Sequence, residues 1–320
     1  MSDGVIGGVG ASPAPPLAGI GRAGSSPSFA EWLHKRWGYL ALSPAVLVIL
    51  LLMVIPIINI LVMSFHVERW ADGAVERVFV GLDNFRQFSA DPIYWVGLRN
   101  TLVFAAIAVL LQLVIGFGLA LLVSGIKRGR TALIAILLIP IILPPIIIGA
   151  IWRLVLNFDL GILNVTLGAL GLPAVDWLGD PRLALGAVIA VDVWHWTPFV
   201  FLLLLAGLES LPAEQYEAAA LDGATRWQQF RYLTVPLMWP TIMITLVFRI
   251  VFSFKVFDEI YLLTRGGPGT STEVVSYTIY RTYLAEDRAG VGSVMSLFTV
   301  AVIAISAIIV INLRRRKAAA

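Results

Sequence analysis

The sequence predicts an all-α integral membrane protein of six transmembrane helices, preceded by a short interfacial helix. Three observations predict it. Of the 320 residues, 59% are hydrophobic and 13% charged, against about 45–50% and about 25% in soluble domains, and the mean hydropathy is +0.88. Six apolar runs each reach the length of about 20 residues that a span requires. The basic residues gather in alternate loops, the pattern of a chain that threads a membrane repeatedly.

Residues 1–27 are rich in Gly, Ala, Ser and Pro and bury too little apolar surface to fold, so a disordered cytosolic tail is expected. No cationic segment with a short apolar core precedes the first span, and no cleaved signal is expected. Residues 28–38 contain FAEWLHKRW, with Trp32 and Trp37 beside Lys35 and Arg36, which reads as an amphipathic helix lying along the membrane surface. A six-helix domain follows over 39–313, with spans near 40–64, 99–124, 132–153, 183–207, 237–262 and 290–312. Pro140, Pro144 and Pro145 should kink or break the third span, and in a bundle neighbouring helices satisfy the backbone groups this frees. Between spans, Gly81-Leu82-Asp83-Asn84-Phe85 reads as a helix start and Gly266-Gly267-Pro268-Gly269 as a tight turn. Residues 314–320 form a basic tail.

Charge sets the orientation. Lys35 and Arg36, Lys127, Arg128 and Arg130, Arg226 and Arg231, and Arg314 to Lys317 all fall on one side of a six-span chain, while the opposite loops carry Asp72, Glu76, Asp83, Asp91, Asp159, Asp176, Asp180, Glu273, Glu286 and Asp287. Both termini are therefore expected in the cytosol. The net charge of +3 matters less than this distribution. With no cysteine, disulfides, thiolate metal sites and cysteine nucleophiles are excluded. His34, His66 and His195 show no paired spacing, so no metal site is expected.

The best-marked polar insertion is the loop over 209–236. Leu211-Pro212 ends span 4, and Ala213 to Leu221 (AEQYEAAAL) is dense in helix formers. Gly223 supplies a left-handed helix end at little cost. A second helical piece over Thr225 to Tyr232 should lead to Pro236. The small alanines Ala218, Ala219 and Ala220 would let another protein approach closely, Glu214 and Glu217 would offer charge to it, and Asp222 completes the candidate loop set.

Glu217-Ala218-Ala219, three residues, Gly223, nine residues and then Leu233-Thr234-Val235-Pro236 resembles the signature loop of permease subunits of binding-protein-dependent ABC importers. Leu233 and Val235 stand where Ile and Leu are more usual. Gly81 to Phe85, Asn100-Thr101, Pro198 and Leu263-Thr264-Arg265-Gly266-Gly267-Pro268 look like the carbohydrate-uptake, maltose-type branch, and the resemblance covers about residues 40–312. It implies the six-helix ABC importer permease fold in a bacterial inner membrane, and a non-catalytic subunit. Its implied partners are a second permease subunit, a cytosolic ATPase dimer and an extracytoplasmic solute-binding protein, in a lipid bilayer and with no nucleic acid. ATP and Mg would sit on the ATPase, with no cofactor in this chain. The sequence agrees, because it contains no G-x-x-x-x-G-K-[ST] phosphate loop.

Intramembrane polar residues mark candidate solute contacts. At about 1.5 Å per residue, Asp192, His195, Trp196 and Phe199 lie about 14–24 Å inside span 4, and Arg249, Phe252, Ser253 and Val256 about 18–29 Å inside span 5. Each set has helical-face spacing, and the depth suits a transporter site. Aromatic faces with directional donors and acceptors would suit a sugar. An Asp192–Arg249 ion pair that merely fixes two helices stays open beside this. Lys255, Asp258 and Glu259 are expected to pair with one another, and Asn59 and Gln112 to bridge helices. A glycerol-phosphate-type solute, attracted by Arg249, and an ion-driven secondary transporter are the alternative functions. No nucleophile–base or metal constellation points to an enzyme.

Overall fold

The computed structural model describes the backbone of residues 29–71 and 73–318. The expected disordered tail, 1–27, lies outside the described residues. The chain divides into two compact units, one ending at Pro56 and the other running from Ile57.

Helix α1, Phe29–Met63, is continuous. The expected interfacial segment is therefore not a separate helix but the first turns of α1, ahead of the apolar stretch Ala41–Met63. The one helix-weakening residue at the junction is Gly38, and a single glycine costs a helix only about 1 kcal/mol relative to alanine. Asn59, expected to bridge helices, is exposed on α1.

After α1 the chain forms a hairpin that the sequence reading missed. Strands β1 (His66–Ala71) and β2 (Ala74–Phe79) pair antiparallel, with His66 opposite Phe79 and Ala71 opposite Ala74. The Asp72-Gly73 dipeptide between runs that carry Val67, Trp70, Val75, Val78 and Phe79 is the hairpin signal, although the hairpin leaves the fold class helical. Helix α2 (Asp83–Ser89) starts where the Gly81–Phe85 segment suggested. Asn84 Nδ2 ties it to the carbonyls of Ser64 and His66, each at 2.9 Å.

Helix α3 (Pro92–Ser124) begins seven residues before the expected span. Asp91 caps it, accepting from the amides of Ile93 and Tyr94 at 2.9 and 3.2 Å, and Pro92 needs no partner at the first position. The third span is broken into α4 (Arg130–Leu137), α5 (Ile139–Ile142) and α6 (Pro145–Val155). Leu143, which precedes Pro144, sits at ψ 133°, the extended state that a following proline imposes. Among the described residues, five helices rather than six are long and apolar enough to cross a membrane, and the third run contributes only the short α6 to the apolar set.

Helix α7 (Ile162–Ala169) precedes α8 (Ala184–Glu209), which packs along α3. Gly116 permits their approach, because a Cβ there would lie 2.8 Å from Val200 Cγ1 and 3.0 Å from the Phe201 amide nitrogen. Phe104, Ala108, Val188 and Val191 form the core at one end of this pair, and Ala120, Val200, Phe201 and Leu204 at the other.

Helix α9 (Ala213–Leu221) is followed by α10 (Arg226–Gln229), a π turn over Phe230–Thr234 and α11 (Val235–Ser253). The last three run on without interruption, so the expected separate piece ending near Pro236 is instead the start of span 5. Pro236 stands just after the π turn of this continuous run, where the regular hydrogen-bond ladder is already locally re-paired. Span 5 stops at Ser253, short of the expected 262, and α12 (Asp258–Leu263) follows a break. Helix α13 (Val275–Tyr280) and α14 (Ala289–Ala318) complete the chain. The basic run Arg314 to Lys317 continues α14 rather than forming a detached tail.

Candidate functional site

Two places gather the residues singled out from the sequence. The first lies where α3, α8 and α11 meet. Arg249 is fully enclosed at 0% exposure, and Asp192 and Gln112 are buried beside it. Arg249 Nη2 donates to Asp192 Oδ2 at 3.1 Å and Arg249 Nε to Gln112 Oε1 at 2.7 Å, while Gln112 Nε2 donates to Asp192 Oδ2 at 2.8 Å. This triangle joins three helices through one buried ion pair. Ser253 Oγ, also buried, donates to the Arg249 carbonyl at 2.8 Å. Arg249 Nε and Nη2 and the Ser253 hydroxyl are thus engaged within the chain, the buried Arg249 Nη1 has no hydrogen-bond partner there, and the Asp192–Arg249 ion pair left open by the sequence is present.

His195 Nδ1 lies 3.1 Å from Glu259 Oε1, both side chains buried, and joins α8 to α12. Glu259 therefore pairs with His195 rather than within the Lys255, Asp258 and Glu259 group, because the break after Ser253 removes the helical spacing that pairing needed. The same break takes Val256 off the α11 face, and it packs in the core with Ile260 and Val191.

The aromatic members behave differently. Trp196 stacks on Phe252 at 5.7 Å and 27°, and Phe199 meets Phe252 at 5.9 Å and 67°. Phe248, which the sequence reading did not select, joins Phe199 edge-on at 6.4 Å and is 47% exposed. It stands four residues before Phe252, so its helical spacing was the signal that could have found it. Trp196, Phe199 and Phe252 are half-buried. The guanidinium of Arg249 lies 5.1 Å from the Trp196 ring centroid, a cation–π contact that steadies that ring from behind. The predicted faces have separated, with polar groups inward as scaffold and rings outward as surface.

The second place is the 209–236 loop. Glu214, Glu217, Ala218, Asp222, Gly223 and Pro236 are exposed and Ala219 is half-buried. Gly223 takes φ 79°, and the Ala224 amide closes the end of α9 on the Ala219 carbonyl at 2.9 Å, the left-handed helix end that glycine permits. Thr225 and Gln228 form a reciprocal capping box at the start of α10. Tyr216 Oη and Thr234 Oγ1, 3.0 Å apart, hold α9 against the π turn. A groove of about 380 Å³ runs beside Ala219, Asp222, Gly223, Gln228 and Tyr232. Leu221 is 90% exposed, Trp227 66% and Tyr232 68%. The sequence reading passed over these three, which stand out only once the helices are folded. At the loop's base Glu209 pairs with Arg130 of α4.

A bundle of broken and unbroken apolar helices, carrying a capped polar loop with exposed large apolar side chains between two of them, is the architecture of a membrane transport subunit. The chain belongs to the family of binding-protein-dependent transport system inner membrane components, whose model matches residues 112–318. It is thus a multi-pass, non-catalytic permease subunit of an ABC importer. Among its relatives, a trehalose/maltose transport system permease protein of Thermococcus litoralis is 36% identical over 84% of this chain and 90% of its own. A sulfoquinovosyl glycerol transport system permease protein of Agrobacterium fabrum is 32% identical over 85% and 89%. Among solved structures, a bacterial ABC transporter involved in the import of the acidic polysaccharide alginate superposes with a TM-score of 0.79. It has 26% identity to this chain and covers 90% of this chain and 98% of that one.

Proposed function

We propose that the chain forms half of the translocation pathway for a sugar-like solute and couples it, through the 209–236 loop, to ATP hydrolysis on a separate subunit. The single observation that carries the solute class is the half-exposed ring patch of Trp196, Phe199, Phe248 and Phe252. A pyranose turns polarised C–H bonds toward the negative face of an aromatic ring, and a ring surface at membrane depth offers that contact. The trehalose/maltose relative supports the same class. A phosphate ester would need a free cation at this depth, and the guanidinium of Arg249 is already committed to Asp192.

The complementary half is a second permease subunit, the solute arrives on an extracytoplasmic binding protein, and both termini face the cytosol with the loop. ATP and Mg belong to the ATPase. Leu221, Trp227 and Tyr232 are the anchors that enter its cleft, because large apolar side chains exposed on a water-facing loop gain most from burial against a partner. Glu217 and Gly223 set the charge and the turn that present them.

Uptake of radiolabelled maltose and trehalose by the reconstituted importer tests the pathway. Trp196→Ala and Phe248→Ala should each cut uptake while assembly and basal ATP hydrolysis stay at wild-type values. Undiminished uptake in both variants would dispose of the ring-patch pathway. Glu217→Lys and Gly223→Pro should lose co-purification of the ATPase or its coupling, and full coupled uptake would count against the docking role.

A further inference from the structure

A second aromatic cluster lies beyond the break in span 5, apart from the Trp196 patch. Phe257 and Tyr261, four residues apart on one helical face, stack at 5.5 Å and 19°. From α13, Tyr280 meets Phe257 at 5.0 Å and Tyr261 at 5.8 Å, and Tyr277 lies 6.2 Å from Tyr280. All four rings are half-buried.

Two features separate this cluster from ordinary packing. Buried Tyr94 shows what a packed tyrosine does here, with its hydroxyl 2.8 Å from Thr299 Oγ1. Among the described residues, the hydroxyls of Tyr261, Tyr277 and Tyr280 have no such partner within the chain, although each ring is held. Arg265 is the second feature. It adopts φ 52°, a left-handed backbone that costs any residue with a Cβ and persists only where the surroundings enforce it. That conformation sets its exposed guanidinium 5.9 Å from the Tyr261 ring centroid. Ring faces, hydroxyls without a partner in the chain and an exposed guanidinium converge beyond the break in span 5.

We propose that Phe257, Tyr261, Tyr277, Tyr280 and Arg265 form a second sugar subsite, which takes one hexopyranose ring at the outer mouth before it reaches the Trp196 patch. The inference rests on the sugar-importer reading and deepens it. The sugar's C–H face lies on a ring, and its hydroxyls exchange hydrogen bonds with the tyrosines and accept from Arg265.

The test uses the whole importer in proteoliposomes, driven by binding protein loaded with radiolabelled maltose or trehalose, and reads sugar imported per ATP hydrolysed. Tyr261→Ala and Tyr280→Ala should lower that ratio about tenfold, the scale of one lost aromatic contact, with ATPase stimulation unchanged. Tyr261→Phe and Tyr280→Phe, which keep the ring face, should fall only a few-fold. Arg265→Gln leaves the ring packing alone and should also fall a few-fold, which keeps the test decisive if an alanine variant fails to assemble. An unchanged ratio in all of these overturns the subsite. A parallel loss of ATPase stimulation and uptake, with the ratio preserved, also overturns it, since the rings would then serve docking or packing. A wild-type importer that moves neither sugar defeats the sugar reading itself, and the subsite with it.

Discussion

Arg249→Met removes the cation from the triangle that joins α3, α8 and α11. The variant leaves the Asp192 carboxylate 2% exposed, with Gln112 Nε2 at 2.8 Å as its remaining side-chain donor. Breaking one partner of a buried pair costs about 3–5 kcal/mol, because the surviving charge stays desolvated. Separated helices remain in lipid, where a polar group still finds partners, so the loss should fall at the low end, about 3 kcal/mol. That is about a hundredfold in the folding equilibrium. Asp192→Leu combined with Arg249→Met removes both charges, and such replacements of a whole buried pair are often neutral. The double variant should therefore recover most of the stability lost by either single change. The assay is thermal unfolding of the purified importer in detergent, with sugar uptake measured alongside. Single variants as stable as wild type, or a double variant worse than either single, would refute the reasoning that this pair is a closed structural unit.

Three further outcomes follow from particular contacts. Burial against α13 pushes the Glu273 carboxyl above its ordinary value of 4.5, opposed by the Thr278 hydrogen bond and by Arg281. A raised carboxyl favours the protonated folded state, so stability is fullest below 4.5 and declines as pH rises through the folded value; Glu273→Gln should flatten that slope in melting temperature against pH. Thr225→Ala removes the capping box and should cost about 1 kcal/mol locally, seen as faster amide exchange at Gln228 with the span helices unaffected. Gly116→Val drives methyl groups into Val200 and the Phe201 backbone; such overpacking costs about 1–3 kcal/mol, and normal thermal stability of the variant would contradict the close approach of α3 and α8.

Most of the helical architecture was legible because long apolar runs admit few alternatives in a membrane. The helix–turn–helix loop over 209–236 was legible because its signals are local, namely alanine-rich helix, turn glycine and cap. What escaped depended on backbone breaks. Nothing in Val251 to Asp258 resembles a proline or glycine punctuation mark, so span 5 reads through to residue 262, yet the helix ends at Ser253 and Val256 and Glu259 turn elsewhere. The third span announced its break through Pro140, Pro144 and Pro145. Depth and spacing picked out residues that the structure gathers where α3, α8 and α11 meet, but spacing cannot say which side of a helix faces a neighbour. That choice made Arg249 scaffold and left Phe248 as surface.

The ion-pair triangle also stands at the end of the chain's most direct route from the loop. From Arg226 the helix runs without a break to Ser253, 28 residues, or about 42 Å at about 1.5 Å per residue. The Tyr216–Thr234 contact binds α9 to its base, and Arg249 lies one turn from its far end. The loop and Arg249 are therefore joined by one continuous helical run, which carries a π turn and Pro240 on the way, and Arg249 is joined in turn to α8 and α3 through Asp192 and Gln112. The same guanidinium lies over the Trp196 ring, so the proposed solute-facing ring is joined to the helix that continues from the 209–236 loop. Free rotation of α11 past its neighbours would need the buried pair to open, at the cost worked out for Arg249→Met. The triangle thus ties the three helices together, and beyond the break after Ser253 the buried His195–Glu259 contact ties α12 to α8 as well.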